Sequence, residues 1–180
     1  MRILAKDAVG LIIDIQERLF PFIANHEQIA KNTSILIEGL KALEVPIMVT
    51  EQYTKGLGVT ITPLKDLLHQ NRFIEKMAFS CCDEPKFFEE LAVKAPQFVI
   101  IAGIESHVCV LQTTIDLINN GYRPVVVEDC VGSRNPNDKA MAIARMRQEG
   151  AIITTYESVL FELLRYSGTE SFRKISKLVK

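Results

Sequence analysis

The feature that most constrains this fold is an alternation of short, β-branched apolar runs with longer stretches of helical spacing. Residues 8–14 form an apolar run stopped by the carboxylate of Asp14. The runs at 46–51, 72–76, 97–103, 124–129 and 151–155 repeat the theme. Such runs read as strands buried on both faces. Between the first two, Ile29, Ile35, Leu36, Leu40 and Leu43 fall close to helical spacing, predicting a helix over 26–43. Further helices are expected after Pro85, over 107–120 closed by Gly121, over 136–148 ended by Gly150, and over 156–166 and 169–179. Residues 56–58 read as a loop. The alternation predicts one three-layer α/β/α domain over 1–180, with a six-stranded, mostly parallel, doubly wound sheet.

Composition narrows the partners. A chain of 180 residues that is 48% hydrophobic can bury a sizeable core. Its 21 Lys and Arg against 22 Asp and Glu leave a formal charge of −1, which gives no footprint for nucleic acid or an anionic membrane. The apolar run at 98–104 is far short of the ~20 residues that span a bilayer. No signal-peptide pattern follows Met1 and Arg2. Cys81, Cys82, Cys109 and Cys130 show no C-x-x-C spacing, so no zinc cage is expected and no disulfide framework is needed. The reading is a reduced, soluble, cytoplasmic domain that takes a small, neutral or weakly charged substrate. The basic tail of Arg173, Lys174, Lys177 and Lys180 reads as a solvated helix face.

In open α/β sheets the ligand crevice lies beyond the carboxyl ends of the strands. Asp14 ends the first run, Lys76 the third, and the fourth leads through Gly103 into Ile-Glu-Ser-His-Val-Cys109, so Asp14, Lys76 and Cys109 are expected to converge. With Ser106 as N-cap, Cys109 would be the N3 residue, among unpaired N–H groups at the positive end of a helix. That position, with Lys76 nearby, favours thiolate. The bland alternative is an inert buried thiol. Asp14 is the candidate base, or else a loop anchor. His107 sits two residues from Cys109, too few to share its helix face, and is expected on the surface or behind the site. Lys76 is either a solvated charge or the cation that makes a thiol beside a carboxylate sensible.

These residues resemble the Asp–Lys–Cys triad of the isochorismatase-like cysteine hydrolases. The resemblance runs from residue 9 to about 165, and the segments 50–58 and 144–150 look closest to the isochorismatase domain-containing proteins. It implies that Cys109 attacks a carbonyl carbon while Asp14 accepts and returns the proton and Lys76 stabilises the charged pair. A cis peptide is implied at Ile104–Glu105, with the N–H groups of Glu105 and Cys109 forming the oxyanion hole. True isochorismatases generally lack the cysteine. Nicotinamidases carry an Asp-x-His metal site where this chain has Glu51, Gln52 and Tyr53, and His26, His69 and His107 show no ligand spacing. The expectation is hydrolysis of a small amide, ureido or ester compound, with no metal or other cofactor. Gln16, Phe20, Gln52, Tyr53 and Phe79 are the candidate pocket lining, or equally core and loop anchors. Cys81, Cys82 and Cys130 read as bystanders. The family implies a homo-oligomer.

Rival readings lack their motifs. No G-x-G-x-x-G follows the first run, no G-K-[ST] occurs, and the acidic cluster of a phospho-acceptor module is absent after it. The remaining alternative is a non-catalytic binding or assembly protein that retains the fold.

Overall fold

A computed structural model describes residues 1–180. Six strands form one sheet: β1 (Ala8–Ile13), β2 (Ile47–Gln52), β3 (Phe73–Lys76), β4 (Phe98–Ile104), β5 (Arg123–Gly132) and β6 (Ile152–Thr154). Their order is β3-β2-β1-β4-β5-β6 and every neighbouring pair is parallel. The winding direction reverses between β1 and β4, which opens a crevice beyond their carboxyl ends.

The period of two along each strand divides the core between the faces. Ile12, Ile100, Ala102, Val125 and Val127 pack with Leu36, Leu40 and Leu160 on one side, whereas Val9, Leu11, Ile13, Val99, Ile101 and Val126 pack with Phe87, Leu117 and Met146 on the other. The first side is covered by α1 (His26–Ala42), α3 (Thr62–Leu67), α7 (Tyr156–Leu164) and α8 (Glu170–Leu178). The second is covered by α4 (Pro85–Lys94), α5 (Leu111–Asn119) and α6 (Pro136–Glu149). The residues that start these helices also stop neighbouring structure. Pro85 and Pro136 open α4 and α6 behind Glu84 and Asn135, whose side chains accept from the amides of Lys86 and Asn137.

Three details differ from the sequence reading. Where a loop is expected at 56–58, a one-turn helix α2 (Thr54–Leu57) stands, and α3 follows it. Both are too short to display a period. The fifth strand continues past Asp129 to Gly132, because its far end still pairs with β4 beyond a register shift between Ile101 and Gly103. The chain leaving β4 makes one wide π-helical turn (Ser106–Val110) before α5 begins, and Glu105, not Ser106, stands at its N-cap. The Ser106 hydroxyl is buried without a hydrogen-bond partner. No helix is long and apolar enough to cross a membrane.

Candidate active site

Asp14 is the first residue beyond β1 and takes left-handed backbone, φ +52°. A non-glycine residue there stores of order 1–3 kcal/mol, least for the short polar side chains of Asp and Asn. Tyr53, the first residue beyond β2, does the same at φ +40°. Lys76 closes β3, and its ammonium lies 2.6 Å from Asp14 Oδ2 with both side chains essentially inaccessible, 0% and 1% exposed. Lys76 Nζ also donates to the carbonyls of Ala78 (3.0 Å) and Phe79 (3.1 Å), so the segment after β3 curls back over it. On the other carboxylate oxygen, Thr50 Oγ1 donates to Asp14 Oδ1 at 2.8 Å. Cys109 lies in the π-helical turn against this pair and donates from Sγ to Gln52 Oε1 at 3.2 Å. The three residues come from three strand ends and meet in one cleft.

The turn that carries Cys109 is fixed on both sides. The Ile104–Glu105 peptide is cis. Glu105 Oε1 accepts from the Arg134 amide at 3.1 Å and from its Nε at 3.0 Å, which ties the turn to the segment after β5. Gly103 is required where β4 passes the end of β1: at φ +154°, a Cβ there would meet the Ile13 carbonyl oxygen at 2.5 Å. His107 stands behind the turn, its Nδ1 3.0 Å from Ser133 Oγ and its Nε2 4.0 Å from Asp138, matching the expectation that it faces away from Cys109.

The cleft holds about 250 Å³ and is lined by Asp14, Leu19, Gln52, Tyr53, Leu57, Phe79, Ile104, Glu105, Val108 and Cys109. Of the expected lining, Gln52, Tyr53 and Phe79 are therefore present and two residues are not. Gln16 is wholly buried as a loop anchor: Nε2 donates to the carbonyls of Gln52 (3.0 Å) and Gly58 (2.7 Å), and Oε1 accepts from the Gln52 amide (2.8 Å). Phe20 packs on the core and meets the His26 ring edge-on at 5.2 Å. Leu19 supplies the wall instead, one position earlier than expected. Sequence reasoning also missed Leu57, Ile104 and Val108, which look like ordinary core residues, and Thr50, whose role depends on its cross-strand position beside Asp14. Nor is Cys81 a distant bystander: it is fully buried, with Sγ 3.8 Å from Thr50 Oγ1. Burial pushes its thiol up to about 12.

The electrostatics correct one expectation. Burial raises the Asp14 carboxyl above the usual carboxylate range, against the opposing pull of Lys76 and Thr50. Burial works against the Lys76 ammonium too, but the charges of Asp14 and its other neighbours outweigh it and the net shift is upward. Cys109 is moved well above an ordinary thiol, first by burial and then by the Asp14 charge, with Lys76 pulling the other way. Burial and the Asp14 charge therefore oppose the thiolate that the helix start favours. A helix end favours thiolate where water also solvates it. Here the sulfur is in a largely apolar cleft, and the Lys76 charge is neutralised by the nearer carboxylate.

Fold and site together define a class of protein: a doubly wound, all-parallel α/β domain with a cysteine-bearing turn after its fourth strand, set against a buried carboxylate–ammonium pair. The isochorismatase domain model matches residues 8–158, and the chain belongs to the isochorismatase family. Isochorismatase family protein 1B of Dictyostelium discoideum is 37% identical over 99% of this chain and 89% of its own length. Isochorismatase domain-containing protein 2A of Mus musculus is 36% identical over 99% and 85%. Among solved structures, the MAR1 ribonuclease of Caenorhabditis elegans superposes with a TM-score of 0.94 at 38% identity, covering 99% of this chain and 92% of that one. The YcaC gene product of Escherichia coli, described as an octameric hydrolase of unknown specificity, gives 0.93 at 25% identity over 99% and 89%.

Proposed function

We propose that this protein is a cysteine hydrolase that cleaves small amide, ureido or ester compounds through a thioester on Cys109. The observation that carries the proposal is the buried Lys76–Asp14 pair, 2.6 Å apart, set against the only cysteine in the cleft wall. Burying two charges is expensive, and a pair at the floor of an apolar cleft is explained by chemistry more readily than by stability.

In the first half-reaction Cys109 Sγ bonds to the substrate carbonyl carbon as its proton passes to Asp14. The carbonyl oxygen becomes an oxyanion held by the N–H groups of Glu105 and Cys109, a contact whose loss typically costs about 100-fold or more in rate. The bond to nitrogen or oxygen then breaks, Asp14 returns the proton to the leaving group, and the thioester remains. In the second half Asp14 takes a proton from water, water oxygen bonds to the carbonyl carbon, and Sγ leaves and regains its proton from Asp14. Lys76 keeps Asp14 ionised enough to act as base by lowering its proton affinity. Cys109 itself supplies the nucleophile, so no cofactor enters these steps. The reading covers residues 1–180 as one domain that works as a homo-oligomer, as the octameric YcaC relative suggests. Four free thiols suit a reducing compartment such as the cytoplasm.

The ribonuclease description of the C. elegans relative finds less support here. Phosphodiester chemistry needs cationic groups facing the substrate. The cleft wall has none, and Lys76 lies beneath Asp14 with its donors engaged.

A panel of small neutral amides, ureides and esters tests the proposal against wild type, Cys109→Ala and Asp14→Asn. Turnover by wild type alone is expected. Turnover that survives in Cys109→Ala, or binding without turnover in wild type, contradicts it and favours a binding or assembly role.

A further inference from the structure

We infer that the cleft selects neutral over anionic substrates, with the Gln52 side-chain amide as the group that recognises the polar end of a small, otherwise apolar carboxamide or ester. The inference rests on the hydrolase reading and deepens it by assigning the charge class of the substrate.

The cleft wall contains two carboxylates, Asp14 and Glu105, and no Lys, Arg or His. Each carboxylate has its cation outside that wall. Lys76 reaches Asp14 from below: Nζ lies 2.6 Å from Asp14 Oδ2 and donates to the Ala78 and Phe79 carbonyls at 3.0 and 3.1 Å, so its charge is spent on the carboxylate. Arg134 reaches Glu105 at 3.0 Å from a side chain that is 60% exposed. An anionic substrate would therefore lose its hydration in an apolar cleft, facing carboxylates and finding no free cation. That arrangement excludes anions more strongly than it rewards any contact.

The one side-chain amide in the wall is only loosely held. Gln52 Oε1 accepts from the Cys109 thiol at 3.2 Å, and Nε2 has only a 3.4 Å contact with the Met77 carbonyl. When the thiol proton moves to Asp14 that acceptor is released, and the amide offers one acceptor and two donors to a neutral substrate. The volume, about 250 Å³, lies below the roughly 300–1,000 Å³ of pockets for drug-sized ligands, so the apolar part is small.

Two alkylating reagents of nearly equal shape test this directly. Iodoacetamide is neutral and iodoacetate is anionic, and both mark Cys109 in a way that peptide mass spectrometry can locate. The ratio of their rates at Cys109 in the native protein is compared with the ratio at the same cysteine in the urea-unfolded chain. The native preference for iodoacetamide is expected to exceed the unfolded one by about tenfold or more. Gln52→Lys, which places a cation in the wall, is expected to remove most of that excess, while the neutral Gln52→Met retains it. Equal ratios in native and unfolded protein overturn the inference but leave the nucleophile intact, as does a Gln52→Lys variant that discriminates like wild type. A Cys109 inert to both reagents when native, yet labelled when unfolded, overturns the hydrolase reading and this inference with it. Protection offers a readout independent of reagent charge: isobutyramide should slow iodoacetamide labelling, and isobutyrate at the same concentration should not.

Discussion

Lys76 and Asp14 are each tolerable only because of the other. Removing one partner of a buried ion pair leaves an uncompensated charge and typically costs about 3–5 kcal/mol. Lys76→Met is therefore expected to lower unfolding stability by about that amount, measured by urea denaturation, and a loss under about 1 kcal/mol would show that water reaches Asp14. Its proton chemistry changes as well. Asp14 is raised above 3.8 by burial and held down by Lys76, so activity should fall on acidification with a midpoint above 3.8. In Lys76→Met that midpoint should move further up, because the stabilising cation is gone. For Lys76 the sign is the reverse of a carboxylate's. Its folded value lies above the ordinary 10.5, so its contribution to stability is complete below that pH and is lost only as the pH climbs through the folded value. Denaturation midpoints from about pH 7 to 10 should show no decline from this source.

At the scale of elements, Gly103 carries the argument. It holds φ +154° where a Cβ would meet Ile13 backbone, which cannot move without breaking the β1–β4 pairing. Gly103→Ala is expected to cost about 1–3 kcal/mol and to shift the Glu105–Cys109 turn, read as a lower melting temperature and slower Cys109 labelling. The strands were legible because their apolar, β-branched runs leave little choice of structure, and five of them lie within a residue or two of the expected bounds. Convergence of Asp14, Lys76 and Cys109 was legible too, since parallel winding brings strand ends to one edge. What escaped the sequence depends on distance between segments. Gln16 was expected in the pocket, yet it spends its amide on Gln52 and Gly58. Leu19 and Leu57 become cleft walls only because the segment after β1 lies against residues 57–61, where Gln16 pairs with Thr60. The burial and the Asp14 charge that oppose a Cys109 thiolate cannot be seen one helix start at a time.

For the whole molecule, the sheet order places the winding reversal, the buried pair and the cysteine turn at one crevice, so fold and chemistry share one origin. Light scattering should return a mass that is a multiple of the 20.3 kDa chain; a mass of one chain would contradict the homo-oligomer. The central claim is that Cys109 forms a covalent acyl intermediate with Asp14 as its proton acceptor. It is tested most directly by mixing the protein with a small neutral activated ester, quenching in acid within the first turnovers, and mapping the acyl group by peptide mass spectrometry. The account predicts the acyl group on Cys109 in wild type and little or none there in Asp14→Asn. An acyl group on the half-buried Cys82 instead, or equal acylation of Cys109 without Asp14, would contradict it.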